Sequence, residues 1–416
     1  MKNKTLLLNC SLLVTISLFK AEVLNAQMVG ADAYIKGTSV EIGLDGIGGF
    51  EGCNIITSPP IAGMHPRSGG TNLFGFVANP HLDSWATYDG DFFTPGTPEN
   101  GWGFEIGTTG GISGSNNCAS APWGAGTPQD IPGAITSWSY VSPQTSCDWE
   151  ADYTTGTNLH FKIDYQLQDP DLFYITTISI TNNTSSTISD IYYYRNLDPD
   201  NNETNASTDG FSTTNTIVSQ ITSGGINTSV SATQATPWSS LFEFIAIDPN
   251  WVAGYGGFTN RDASDMYTGT GFTQTVGATF FADEAIYLAY KIDSLAPSVT
   301  RTFKFASVFD PGSVTNAVSA LNLTTLSTND MGSLENGVKV YPNPFADNTT
   351  ISIGKSVTLS NAEIHIYDVV GKEVKLISNI QSHEFTIDRN NLANGMYFYK
   401  LLNKGEAINS GKLIIK

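Results

Sequence analysis

The run LHFKIDYQLQDPDLFYITTISITNNTSSTISDIYYYRNLDPDNN, Leu159–Asn202, decides the fold. Leu159–Gln168 reads as a strand, with apolar residues at every second position as one buried sheet face requires. Asp169-Pro170-Asp171 is turn chemistry, and Leu172–Asn182 is a second strand. Asn182-Asn-Thr-Ser-Ser-Thr187 turns again into Ile188–Asn196, with Tyr192, Tyr193 and Tyr194 at its centre. Side chains alternate faces along a strand, so only part of that tyrosine run is expected in a core.

Outward from this segment the same signals recur. Ala33–Ile35, Ser39–Leu44, Gly103–Ile106, Ser137–Val141, Thr216–Gln220, Phe242–Ile247, Ala285–Asp293 and Val299–Phe309 are further strand candidates. No Gly-rich loop joins a strand to a helix and no βαβ alternation is present, which argues against nucleotide folds. The expected fold class is all-β: a large β-sandwich, in one form a supersandwich, followed by a small immunoglobulin-like sandwich.

The chain has 416 residues, with 20 Lys and Arg against 39 Asp and Glu, a formal charge of −19. That length suits two or three domains. Net negative charge repels phosphate backbones, so nucleic acid is not an expected partner. No internal run reaches the roughly 18–20 apolar residues of a membrane span. The charge is unevenly spread: residues 338–416 hold nine basic and seven acidic side chains, net +2, whereas 27–337 hold eight and 31, net −23. Such a break marks a domain boundary.

The N-terminus has the layout of a secretory signal peptide over 1–26: Met1-Lys-Asn-Lys4, an apolar stretch, then a short segment ending at Ala26. Cleavage there leaves Gln27 first. A membrane anchor needs a longer apolar run than Lys20 and Glu22 allow. A lipoprotein signal would need a small residue, not Asn9, before Cys10. Residues 27–315 are then a β-rich cargo. Residues 316–337, within a stretch rich in Ser, Thr, Asn and Gly, form a linker.

Residues 338–416 contain short alternating strands with turns at Val369–Lys372, Asn394-Gly395 and Asn403–Gly405. Val340-Tyr-Pro-Asn-Pro-Phe345, IYDVVGKEV, LANGMYFYKL and the terminal GKLIIK, in that order, resemble the C-terminal sorting domain of the Bacteroidetes type IX secretion system. The resemblance implies an outer-membrane translocon and a sorting peptidase as partners. It also implies removal of the domain near Asn329–Asn336, and a cargo that is released or attached at the cell surface through anionic lipopolysaccharide. The segment opening this section resembles the central strands of supersandwich proteins related to aldose mutarotases. That likeness rests on a rhythm of strands and turns and implies no site residue.

Candidate chemistry in the cargo is sparse. Asp198-Pro-Asp-Asn-Asn-Glu203 offers Asp198, Asp200, Asn202 and Glu203 as oxygen ligands for a structural calcium, although EF-hand spacing is absent. No HExxH or CxxC supports zinc at His65, His81 and Asp83. Three cysteines follow the leader, and Cys118–Cys147 would close the shortest loop, with Cys53 left over; spacing does not decide the pairing. A catalytic cysteine needs a base, and His65, His81 and His160 form no Cys–His signature, so a buried free thiol is the expectation. No G-x-S-x-G occurs. Asp89, Asp91, Glu105, Asp148 and Glu150 are the carboxylates available for glycosidase chemistry, which needs a pair about 5–10 Å apart.

Trp85, Tyr88, Phe92, Phe93, Trp102, Phe104, Trp123, Trp138 and Trp149 could stack on sugars, but core packing is their expected role. Asp293-Ser-Leu295 resembles the O-glycosylation sequon of Bacteroidetes exported proteins. The functional expectation is a secreted or surface-attached protein with a non-catalytic binding, adhesive or structural role toward a polysaccharide or surface ligand. The alternative is a glycan-active enzyme or carbohydrate-binding accessory protein.

Overall fold

The structure is a computed structural model, and it describes residues 26–51, 76–77, 93–108, 110–117, 130–141, 144–201, 211–235, 239–256, 258, 260–323, 339–353, 359–368, 372–404 and 406–416. The first sheet is antiparallel and in sequence order: β1 (Ala26–Val29), β2 (Asp32–Lys36), β3 (Val40–Leu44) and β4 (Phe76–Val77). There follow β5 (Phe93–Ile106), β6 (Ile112–Asn117), β7 (Ala134–Val141), β8 (Gln144–Tyr153), β9 (Leu159–Gln168), β10 (Phe173–Asn182), β11 (Ile188–Asn201) and β12 (Thr213–Ser219). Next are β13 (Thr228–Gln234), β14 (Ser240–Ala246), β15 (Trp251–Gly256), helix α1 (Ala263–Thr268), β16 (Thr279–Ala282), β17 (Ala285–Leu295), β18 (Thr300–Val308) and helix α2 (Val314–Leu323).

These strands build two large antiparallel sheets. Nine strands run in the order β16-β12-β13-β14-β18-β10-β9-β8-β7, and five in the order β15-β17-β11-β5-β6. The turn at Asp169–Asp171 joins β9 to β10 in register, Leu167 opposite Tyr174. The sheets share one core. Trp102 of β5 meets Trp149 of β8 edge-on at 5.6 Å, and Tyr193 of β11 and Trp251 of β15 both meet Phe303 of β18. Burying each such ring contributes about 1.5–3 kcal/mol. The fold is therefore all-β and sandwich-like, as the opening segment indicates.

All three tyrosines of the Tyr192–Tyr194 run are buried, which corrects the expectation for them. Their faces do alternate, but both faces are covered. Tyr193 lies between the sheets, and Tyr192 and Tyr194 pack with Val252, Tyr287, Ala263 and Met266 beneath α1. Glycines make the room: a Cβ on Gly103 would stand 2.6 Å from the Tyr194 ring, and one on Gly254 2.2 Å from the Tyr287 hydroxyl.

The segment beyond Pro311, compositionally linker-like, forms α2. Its Ala317 and Leu321 are buried against Phe173, Ile175, Ile245, Ala306 and Val308 on the outer face of the nine-stranded sheet.

One end of the interior is filled by a polar loop. Asp45 accepts hydrogen bonds from the backbone N–H groups of Ile47 and Gly48 at 2.8 and 2.9 Å. The tightened loop aims its carbonyls inward. Trp149 donates to Gly46, Trp102 and Asn116 to Gly48, and Tyr165 to Gly49.

Near the C-terminus come β19 (Lys339–Tyr341), β20 (Asn348–Ser352), β21 (Ala362–Tyr367), β22 (Glu373–Ile380), β23 (Glu384–Asp388), β24 (Gly395–Asn403) and β25 (Glu406–Ile415). They form sheets β19-β20-β23 and β22-β21-β24-β25 around their own core of Phe345, Ile351, Ile364, Ile366, Tyr399, Leu401 and Leu413.

Candidate functional site

The outer face of the five-stranded sheet carries a polar cluster beside α1. Glu99 and Asn117 project outward from β5 and β6, and Asn196 from β11. Asn196 and Asn117 donate to Glu99 Oε2 at 2.6 and 3.2 Å. Arg261 reaches the same carboxylate, Nη2 to Oε1 at 2.7 Å and Nε to Oε2 at 3.2 Å. Burial raises the Glu99 carboxyl above its ordinary value, against the opposing pull of Arg261 and the two amides. Tyr194 and Asp198 are buried on the same face.

Arg261 is placed by the start of the helix. Asp262 caps α1, accepting from Ser264 N–H at 3.1 Å and Asp265 N–H at 3.2 Å. Glu105 of β5 accepts from the same Ser264 N–H at 3.1 Å. Burial, then the neighbouring Asp262 carboxyl, raise the Glu105 pKa. The Arg261 side chain is 31% exposed while Glu99 is 1% exposed, so the guanidinium is the solvent-facing part of the pair. Asn117 and Asn196 are as buried as Glu99, so the cluster offers solvent one guanidinium whose charge is already balanced, a donor suited to a hydroxyl-rich ligand more than to capture of a net charge.

The calcium ligands read from the sequence fall mostly outside what the structure describes. Asp198 is buried on β11, Asp200 lies on the same strand with its side chain outside the described residues, and Asn202 and Glu203 lie outside them altogether. Among the described residues no three His, Cys, Asp or Glu side chains gather as a metal site.

Cys147 is a free, fully buried thiol, which corrects the Cys118–Cys147 pairing. It faces the core from β8 between Trp149 and Thr145, and burial pushes its pKa up to about 12. Cys53 and Cys118, like His65, His81, Asp83, Asp89 and Asp91, lie outside the described residues.

Trp102, Phe104 and Trp149 are core residues, while Trp138 on the edge strand β7 is 48% exposed. Trp85, Tyr88, Phe92 and Trp123, and the side chain of Phe93, are outside the described set. Ser294 of the Asp293-Ser-Leu295 sequon is exposed on β17.

The remaining carboxylates sit on the outer face of the nine-stranded sheet. Asp148 and Asp164 are cross-strand neighbours that share a hydrogen bond. Lys162 pairs with Asp148 at 2.8 Å, and Glu150 lies 3.8 Å away. Burial, then the Asp148 carboxyl, push Asp164 up to about 8.

The cargo's scarce cations are thus committed to particular carboxylates. Lys36 pairs with Glu41, Lys162 with Asp148, Arg195 with Glu51, Arg261 with Glu99, Lys291 with Asp190 and Arg301 with Asp248. That scarcity was the signal by which the sequence could have flagged Arg261 and Glu99.

These features define an all-β protein with a separate small sandwich at its C-terminal end. Residues 339–416 match the family described as secretion system C-terminal sorting domain, and the chain is a cargo of the type IX secretion system, exported to the cell surface or beyond. Among the described residues no helix is long and apolar enough to cross a membrane.

No curated protein matches the sequence. Among solved structures, a polysaccharide lyase is 11% identical, over 82% of this chain and 42% of its own, at a TM-score of 0.30. A heparan sulfate lyase from Pedobacter heparinus is 9% identical, over 59% and 27%, at 0.25. A galactose mutarotase related enzyme from Lactobacillus acidophilus is 10% identical, over 67% and 97%, at 0.28. The chain spans less than half the length of either lyase. Likenesses at these TM-scores transfer neither fold nor activity.

Proposed function

We propose that the exported protein is a non-catalytic binding protein for a hydroxyl-rich polymer, either a polysaccharide or a glycan-coated surface. The ligand lies against the outer face of the five-stranded sheet at the Arg261 guanidinium, which the buried Glu99, itself held by the buried Asn117 and Asn196, fixes in place. The observation that supports this reading is the convergence of two amides and a charge-balanced ion pair on one face, with the guanidinium turned to solvent. The carboxylates Glu105, Asp148 and Glu150 are engaged with a helix N–H, a shared proton or a lysine. In this proposal residues 1–26 are removed on export, the cargo drawn at 27–315 extends through α2 to Leu323, the rest of 316–337 is the linker, and 338–416 are cut away near Asn329–Asn336. Asp198, Asp200, Asn202 and Glu203 are the proposed ligands of a structural calcium.

A second reading, a glycan-active enzyme, draws on one observation: burial raises the Glu99 carboxyl beside Arg261, which is how a general acid is prepared. Both readings meet in one experiment. The full chain with calcium is incubated with a panel of soluble and insoluble polysaccharides, and the bound fraction and newly released ends are measured. Retention without release, lost in Arg261→Gln, supports binding. Release that disappears in Glu99→Gln establishes catalysis and overturns the first reading.

A further inference from the structure

The sorting domain presents two unlike outer faces. On the four-stranded sheet, Ile364, Ile366, Tyr399, Leu401, Leu413 and Ile415 point inward and are buried. The residues between them point out. In register across the sheet, Leu376 lies beside His365 and His365 beside Lys400; Tyr367 lies beside Phe398 and Phe398 beside Lys412; Met396 lies beside Ile414. Leu376 and Met396 are 48% and 44% exposed. The outer face of the three-stranded sheet is different. It shows Thr350, Ser352, Glu384, Thr386 and Asp388, and its one large ring, Tyr341, is tied to Glu384 through a 2.5 Å hydroxyl bond.

The cations differ as well. On this sheet His365 is held between Glu373 and Glu363 at 2.8 and 3.3 Å, and Lys375 donates to the Asp388 carbonyl at 2.5 Å. Lys400 and Lys412 have no carboxylate partner among the described residues. In the cargo, by contrast, six of the eight basic side chains are in ion pairs. The two described carboxylates of this face, Glu363 and Glu373, are both engaged by His365, and what remains is an apolar strip flanked by uncommitted lysines on a net-positive domain fused to a strongly negative body, the composition of an interaction surface.

We propose that the outer face of β22-β21-β24-β25, through Leu376, Tyr367, Phe398, Met396, Lys400 and Lys412, docks on the export machinery, and that the receiving surface is an apolar patch bordered by carboxylates. The domain's family sets the occupant, and its charge sets the chemistry. An acidic receptor rim is attracted to this face and repelled by the cargo. A receptor that faced the Glu384–Asp388 side would meet like charge.

The test is export of the full chain, with its own leader, from Bacteroidetes cells with an intact type IX system. Lys400→Glu with Lys412→Glu is expected to lower the extracellular fraction about tenfold, with folded, protease-resistant protein retained in the periplasm. Leu376→Ser with Met396→Ser is expected to lower it severalfold. Thr350→Glu with Thr386→Glu, on the opposite face, leaves export unchanged. Should charge reversal unfold the domain, Lys400→Gln with Lys412→Gln keeps side-chain length and polarity and decides the matter: a protease-resistant variant with reduced export supports the proposal. Normal export of that variant overturns it, as does an equal defect from the two faces.

Discussion

Arg195 and Glu51 form an ion pair, Nη2 to Oε2 at 2.5 Å, in the buried space between the two large sheets, where the side chains are 4% and 5% exposed. Tyr174 donates to the other carboxylate oxygen, and Arg195 Nη1 donates to the carbonyls of Gly101, at 3.0 Å, and Asn196. The Arg195 guanidinium lies 5.7 Å from the centre of the Phe244 ring. Removing one member of such a pair strands the other. Arg195→Met is expected to cost about 3–5 kcal/mol in urea unfolding. The double variant Arg195→Met with Glu51→Gln should recover much of the loss, and a double variant as unstable as the single one would contradict this account.

Cys147 should be inert while the protein is folded. Its thiol is enclosed in the core, and burial moves its pKa from 9.0 to about 12, which alone lowers the thiolate fraction on the order of a thousandfold. Peptide mapping after iodoacetamide treatment at pH 8 should find Cys147 unlabelled in the native state and fully labelled in urea.

Asp164 makes stability fall with alkali. Its folded pKa, about 8, lies above its ordinary 3.8, so between these values the fold holds a proton that the unfolded chain has released. The contribution is complete below about pH 4 and is lost as pH rises through about 8. Asp164→Asn keeps a hydrogen-bond donor for Asp148 and cannot lose that proton. Its Tm should therefore drop less between pH 5 and pH 8 than that of the unaltered chain.

Asp262→Ala removes the side chain that caps α1, a loss of about 1 kcal/mol. Because Arg261 precedes the cap, polymer retention should weaken as well. Arg261→Gln should weaken retention and also lower the unfolding midpoint, because the buried Glu99 loses its cation; undiminished retention in a folded Arg261→Gln variant would count against the binding role.

Strands with large apolar residues at every second position, such as β9, β10 and β17, are legible because their period is local. β6 and β13 are not, since ISGSNN and TSVSATQ carry few large apolar residues and are strands by virtue of their neighbours. β8 hides its alternation in Thr145, Cys147, Trp149 and Ala151. The polar site is harder still. Glu99 and Arg261 are 162 residues apart and meet only because β5 pairs with β11 and α1 crosses the face they share. The charge break before residue 338 needed no such knowledge, for it is a sum over sequence alone.

The polar loop at Asp45–Glu51 also bears on how the molecule comes into being. It is among the first parts of the exported body to be synthesised, yet the side chains that bond to it are donated by Asn100, Trp102, Asn116, Trp149, Tyr165 and Tyr174, 49 to 123 residues further on. No early fragment can seal its own interior. The chain must remain open until β10 has emerged, and contacts so distant in sequence make closure slow. A body that closes late stays pliable longer.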